Sequence, residues 1–186
     1  MFEFIKKIPV YIYDFFISTF LTIVAHVQMI DNMDMRKGNF LDVGCGTGAP
    51  LKKIADKLET YYTKIVGVDL HPEYTDQAKK LFANDPRVEI HNCDFYEVKS
   101  VVGNRKFSSI LFSFSFMLMP DHVKALMLAQ SILEKDGKIS FLMTLNKKPF
   151  PLLEKLKPLI KKITTVDLGK VIYEREFEEV LSIGNL

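Results

Sequence analysis

Three glycines alternate at positions 44, 46 and 48 of the 186-residue chain, in the run Leu41-Asp42-Val43-Gly44-Cys45-Gly46-Thr47-Gly48. Without Cβ atoms, such a run can turn sharply and bring its main chain against a ligand. A helical pattern follows directly, so the free N–H groups of a helix start serve the same place. Two carboxylates recur at matching points further on. Asp69 closes the next apolar run, 21 residues after Gly48, and Asp94 follows a third, in His91-Asn92-Cys93-Asp94-Phe95. An acid at the end of a second strand can accept hydrogen bonds from ribose hydroxyls. Each feature alone has a plainer role: a glycine turn that only reverses the chain, or an Asp that caps a helix or closes a turn, as Asp69 would two residues before His71-Pro72. Three successive strand ends presenting Gly, Asp and Asp at one edge point further, to a nucleoside-like ligand.

Other reactive side chains are sparse. Residues 113–119 (SFSFMLM) contain no Asp, Glu, His or Lys. A ligand bound there finds no general base, so it either brings its own nucleophile, as a thiolate, amine or phenolate, or is bound without much catalysis. His122, just past this stretch, is the one nearby base candidate, although an exposed helix-start histidine is its plainer role. His26, His71 and His91 have no metal-ligand spacing with carboxylates or cysteines, so no metal is expected. Cys45 inside the glycine loop reads as a small loop residue, with no His near it in sequence. Two cysteines build neither a disulfide framework nor a four-thiolate zinc site.

The elements that must position these residues follow from periodicity. Residues 39–44, 64–69, 87–91, 107–113 and 138–145 read as short buried strands. Between them lie helical patterns. Residues 49–59 place Leu51, Ile54, Ala55 and Leu58 on one face, and a helix from Pro72 places Tyr74, Ala78, Leu81 and Phe82 inward. A helix opened by Pro120-Asp121 runs through Leu133 and ends at the turn Lys135-Asp136-Gly137. Alternating strands and helices predict an α/β fold: a doubly wound, mostly parallel sheet with helices on both faces.

Composition agrees with one globular domain over 1–186, with a helical N-terminal segment (1–37), a regular core of strands and helices (38–145) and a C-terminal segment that ends in a helical pattern (146–186). Hydrophobic residues are 48% and charged residues 26%, with a net charge of +2, so there is no polybasic footprint for nucleic acid. Residues 8–30 carry a single charge, Asp14. Their uncharged part, 15–30, is 16 residues, short of the roughly 20 that span a bilayer. A helix buried against the domain is expected there, with contact at a membrane surface as the alternative. A cytoplasmic protein follows, or a membrane-associated one on that alternative. Residues 173–181 have helical spacing and Gly184 is an end signal, while 164–170 reads as a linker or a further strand.

Over residues 38–145 the chain resembles the class I S-adenosylmethionine-dependent methyltransferases. Residues 41–48 match the family's first motif, which implies that the main chain around Asp42, Gly44, Cys45, Gly46 and Gly48 contacts the methionine part of the cofactor. Asp69 matches the acid that binds both ribose hydroxyls, and Leu70 would pack on the adenine. Asp94 matches the acid at the adenine amino group, with Cys93 and Phe95 lining that pocket. Residues 112–120, followed by Asp121, resemble the fourth motif, beside the transferred methyl group, with Ser113 among the cofactor contacts. The resemblance implies methyl transfer to a small molecule, with S-adenosylhomocysteine as product.

The same resemblance makes residues 1–37 a cap that carries an aromatic over the cofactor (Tyr11, Tyr13 or Phe16, with Tyr13 the second catalytic candidate beside His122), makes 38–145 the cofactor-binding core and puts 146–186 in the place of a lid and C-terminal helical segment. Phe16, Phe20, Phe116, Met117 and Phe150 would wall a pocket for an apolar or aromatic acceptor. The chain departs from the family in two respects. The Asn/Asp-Pro-Pro-Tyr signature of amino-group methylases is absent, as are the histidines that small-molecule relatives carry where Met117 and Leu118 stand. The sixth and seventh strands are also unaccounted for, unless 164–170 and 171–177 pair; otherwise a homodimer, a partner chain or truncation would explain an open sheet edge. A catalytically weak cofactor-binding subunit is the second reading. A nicotinamide dinucleotide dehydrogenase is the third, against which Gly44-x-Gly46-x-Gly48 departs from G-x-G-x-x-G.

Overall fold

The computed structural model describes residues 24–25, 28–29, 36–58, 60–143, 145–146 and 172–184. Five strands form one sheet: β1 (Gly38–Val43), β2 (Tyr62–Asp69), β3 (Val88–Asn92), β4 (Phe107–Ser113) and β5 (Leu133–Leu142), in the order β3-β2-β1-β4-β5. Every pairing is parallel, with Asp42 between Gly67 of β2 and Leu111 of β4. Parallel strands covered on both faces are apolar nearly throughout, and all seven residues of β4 are buried.

The period-2 alternation sorts side chains onto two cores. Phe40, Ile65 and Leu111 pack with Leu51, Ile54, Ala55 and Leu58 of α1 (Ala49–Leu58), whose apolar face is the expected one. Leu41, Val43, Val66, Val68, Ile110 and Phe112 pack on the opposite face, against Ala125, Ala129 and Ile132 of α4 (His122–Ile132). The short α3 (Lys99–Val102) adds Val102 to that side. The doubly wound sheet with helices on both faces is therefore the fold of the molecule.

Two local expectations change. In α2 (Pro72–Leu81) the buried positions are Thr75 and Ala78, followed by Phe82, while Tyr74 and Leu81 are 46% and 41% exposed. The fifth strand begins at Leu133, straight from the end of α4, rather than after a turn. Its register jumps from Phe107↔Leu133 to Ser109↔Lys138, so the expected turn is a bulge of residues 134–137 opposite Ser108. Gly137 permits it, because a Cβ there would stand 2.7 Å from Leu133 Cγ and 3.0 Å from the Phe107 carbonyl. The helical spacing read over 173–181 is realised, so the alternative of a strand through 177 reaches only Ile172–Tyr173 among the described residues. A two-residue β7 (Ile172–Tyr173) pairs in parallel with β6 (Leu145–Asn146), and α5 (Glu174–Ile183) begins at once, ending at Gly184 as expected.

Helix α5 docks on the sheet through Phe177 and Val180. Its cap is held where Gln130 Nε2 donates to the Gly184 carbonyl, with no room for a Cβ beside Leu126. The aromatic candidates Tyr11, Tyr13, Phe16, Phe20 and Phe150, and the segments 8–23 and 147–171, lie outside the described residues. Among the described residues no helix is long and apolar enough to cross a membrane.

Candidate functional site

The glycine loop leaves the carboxyl end of β1 where the strand order reverses between β1 and β4, the place where open α/β sheets bind ligands. Its main chain is anchored first. The N–H groups of Gly44 and Cys45 donate to the Val68 carbonyl (2.8 and 3.1 Å), and Gly48 N–H donates to the Cys45 carbonyl (3.0 Å). Lys52 N–H then closes the first turn of α1 on the Gly48 carbonyl (2.8 Å).

All three glycines have positive φ, at 77°, 55° and 74°, but for different reasons. A Cβ on Gly44 would stand 2.5 Å from Ser115 Cβ, and one on Gly48 would stand 2.9 Å from Phe82 Cε2 and 3.1 Å from Ala78 Cβ. These two serve packing. A Cβ on Gly46 would meet nothing within 4 Å, so this part of the loop faces open space.

Asp69 is fixed beside that opening. Gly46 N–H donates to Oδ2 (2.9 Å), and His71 N–H donates to Oδ1 (2.9 Å), with His71 Nδ1 at 3.4 Å. An ionised carboxylate offers about four acceptor sites, so two remain for hydroxyl donors. Asn92 holds this corner: its Nδ2 donates to the carbonyls of Asp69 (3.0 Å) and Leu70 (2.9 Å), and Cys93 N–H reaches the Asp69 carbonyl (3.1 Å). Leu70, 62% exposed, stands at the rim as an apolar surface.

Asp94 is exposed at the next strand end, and its Oδ1 caps a 3-10 turn by accepting from Tyr96 N–H (2.9 Å). The Phe95 ring is turned into the core, edge-on to Phe112 at 5.2 Å, so only its main chain is available to a ligand.

Asp42 lies beneath the loop, 1% exposed, and its Oδ1 has no hydrogen-bond partner among the described residues. Burial and, secondarily, the charge of Asp69 push its carboxyl up to about 7. Burial likewise raises the thiols of Cys45, above the usual cysteine range, and of Cys93, to about 11. Burial thus disfavours the thiolate at both positions, which weighs against a nucleophilic role for Cys45.

On the β4 side, Ser113 is buried at the strand end and Ser115 Oγ donates to the Val43 carbonyl, tying the two loops together. Phe116 is 1% exposed within a cluster formed with Phe112, Phe141 and Phe177, and Met117 packs against the same core. Phe116 thus backs the cleft rather than lining it, contrary to the expected pocket wall, while Met117 is half-buried. His122 is half-buried with its ring stacked on Phe116 at 4.9 Å, which corrects the expectation of an exposed helix-start histidine.

The structure thus brings together Asp42, Gly44, Cys45, Gly46 and Asp69. It also adds Asn92, Ser115 and the Tyr96 hydroxyl, which bonds the main chain of Asp121 (2.7 and 3.0 Å) and steadies the start of α4. Alternation in FSFSF was the one sequence signal for Ser115; for Asn92 and Tyr96 there was none. The open face at Gly46, the fixed Asp69 carboxylate and the unpartnered Asp42 oxygen fit a ligand that carries a diol and a cationic group.

Comparisons with known proteins follow the same lines. A family model described as a methyltransferase domain matches residues 40–137. A malonyl-[acyl-carrier protein] O-methyltransferase from Ilyobacter polytropus is 30% identical over 121 residues, 65% of this chain and 43% of that protein. The chain spans less than half the length of the curated relatives it matches. Among solved structures, the YcgJ protein of Bacillus subtilis superposes with a TM-score of 0.68 at 17% identity, covering 86% of this chain and 67% of that one. A phosphoethanolamine-type N-methyltransferase of Haemonchus contortus, solved with S-adenosylhomocysteine, has a TM-score of 0.64 at 17% identity, covering 87% and 36%.

Proposed function

Because the chain belongs to the class I methyltransferases that use S-adenosylmethionine as cofactor, we propose that it moves a methyl group to a small, apolar or aromatic acceptor by in-line displacement. The observation that carries this reading is the opening at Gly46, bordered by the Asp69 carboxylate. When bound, S-adenosylmethionine supplies an electrophilic methyl group on a sulfonium. The chain's residues then have separate tasks. Asp69 accepts from the ribose hydroxyls with the lone pairs that Gly46 and His71 leave free, and Leu70 packs on the adenine. Asp94, through the oxygen not bonded to Tyr96, faces the adenine amino group. Asp42 pairs with the ammonium of the methionine part, which draws its carboxyl back to the ionised form.

The protein's contribution to rate is alignment and exclusion of water, because positive charge disappears as the methyl group moves. No acid or base side chain occurs in residues 113–119, so the acceptor arrives ionised or intrinsically nucleophilic. That same observation favours one second reading, a catalytically weak cofactor-binding subunit that needs a partner, which would add along the outer edge of β5. Transfer of labelled methyl groups to a mixed small-molecule extract decides between the two: turnover without any second protein rejects the subunit reading. For the cofactor site itself, calorimetric titration with S-adenosylhomocysteine should give binding in the wild type and none detectable in Asp69→Ala. Retained binding in that variant rejects the ribose assignment.

A further inference from the structure

Phe114 is the one non-glycine residue with positive φ among the described residues, at 52°. A bulky side chain rarely takes this conformation, and it persists only where the surroundings over-determine it. They do so here from both sides. Phe114 N–H donates to the Leu142 carbonyl of β5 (2.7 Å), and the next residue, Ser115, donates through Oγ to the Val43 carbonyl of β1. The main chain is held in the left-handed form by both strands that flank β4 in the sheet.

Among the described residues, no core packing of the ring offsets that strain. Its neighbours Phe112 and Phe116 are fully buried in the aromatic cluster, whereas Phe114 is half-buried and belongs to neither hydrophobic core. Glycine would adopt the same main chain without strain. Phe114 is therefore kept at a cost to folding, where the chain leaves the carboxyl end of β4 beside the crevice between β1 and β4. It adjoins Ser115, on which the glycine loop rests.

We infer that Phe114 determines acceptor specificity: its ring is the platform on which a planar aromatic acceptor stacks. This rests on the methyltransferase reading and deepens it to one substrate class. Offset or edge-on aromatic contact would orient the acceptor, and the absence of charged side chains in residues 113–119 would exclude hydrophilic ones. The conformation fixes the ring before the acceptor arrives, so little ordering remains to be done on binding.

The test uses 2-naphthol, a fluorescent planar acceptor analogue, titrated into protein saturated with S-adenosylhomocysteine; the chain has no Trp to interfere. The wild type is expected to bind it. Phe114→Gly and Phe114→Asn, both suited to the left-handed conformation, should weaken it about tenfold or more, while Phe114→Tyr stays close to wild type. Both small variants should keep their affinity for S-adenosylhomocysteine, and the urea midpoint of Phe114→Gly should equal or exceed that of the wild type. Unchanged naphthol binding in the small variants overturns the inference, as does a clear fall in that midpoint, which would make the ring a packing element. No naphthol binding to a wild type that does bind S-adenosylhomocysteine also overturns it. If S-adenosylhomocysteine itself fails to bind, the broader methyltransferase reading has failed, and the inference with it.

Discussion

Gly44 and Gly46 share a backbone conformation but not a consequence, and substitution separates them. Alanine at 46 adds a methyl group to open space, so folding should lose only the left-handed penalty, about 1–2 kcal/mol. Affinity for S-adenosylhomocysteine should fall about tenfold or more, because the methyl group occupies the ligand's place. Alanine at 44 meets Ser115 Cβ and should destabilise by about 3 kcal/mol or more, with clash added to strain. Urea denaturation and calorimetry on the two variants check both outcomes. Asp42 gives a pH signature. Its folded carboxyl titrates at about 7 rather than 3.8, so the unfolded state releases its proton first as pH rises. Stability contributed at this site is highest below about pH 4, declines up to about pH 7 and is level beyond that. Asp42→Asn removes the decline, so at pH 8 the ligand-free variant should melt higher than the wild type, and at pH 4 the two should converge.

At the scale of elements, what the sequence revealed depended on the range of the contacts involved. Strands 107–113 and 39–43 were legible because buried parallel strands are unbroken apolar runs, and α1 because Leu51, Ile54, Ala55 and Leu58 repeat at helical spacing. The bulge at 134–137 was not, because Lys-Asp-Gly carries the local chemistry of a turn while pairing with Phe107 continues the strand. On α2, Ala78 and Phe82 face inward as expected and meet Gly48 of the distant loop, but Thr75 is buried where Tyr74 and Leu81 were expected. Within the site, the glycines and Asp69 were legible from spacing; Asn92 and Ser115 were not, as their partners lie 22 to 72 residues away. The docking of α5 is equally non-local, and Phe177 carries it by meeting Phe116 and Phe141 at 6.0 and 5.2 Å. Phe177→Ala should lower stability by about 2–3 kcal/mol, the discount from a fully buried Phe reflecting its partial exposure. Amide exchange over residues 174–183 should accelerate more than over β1.

For the whole molecule, ligand binding and folding are linked through the sheet. S-adenosylhomocysteine at about a hundred times its Kd should add about 2.7 kcal/mol and raise Tm by roughly 5–10 °C. NAD at the same concentration should leave Tm unchanged; an equal shift by NAD would return the dehydrogenase reading to contention. The order β3-β2-β1-β4-β5 sets β1 at the centre, paired to a neighbour made soon after it and to one made much later. During synthesis from the N-terminus, the glycines therefore leave the ribosome long before Ser115, which must brace them from β4. A nascent or nicked fragment lacking that strand has the nucleoside-binding residues but not their support. A ligand at that loop would therefore stabilise only molecules in which β4 is in place.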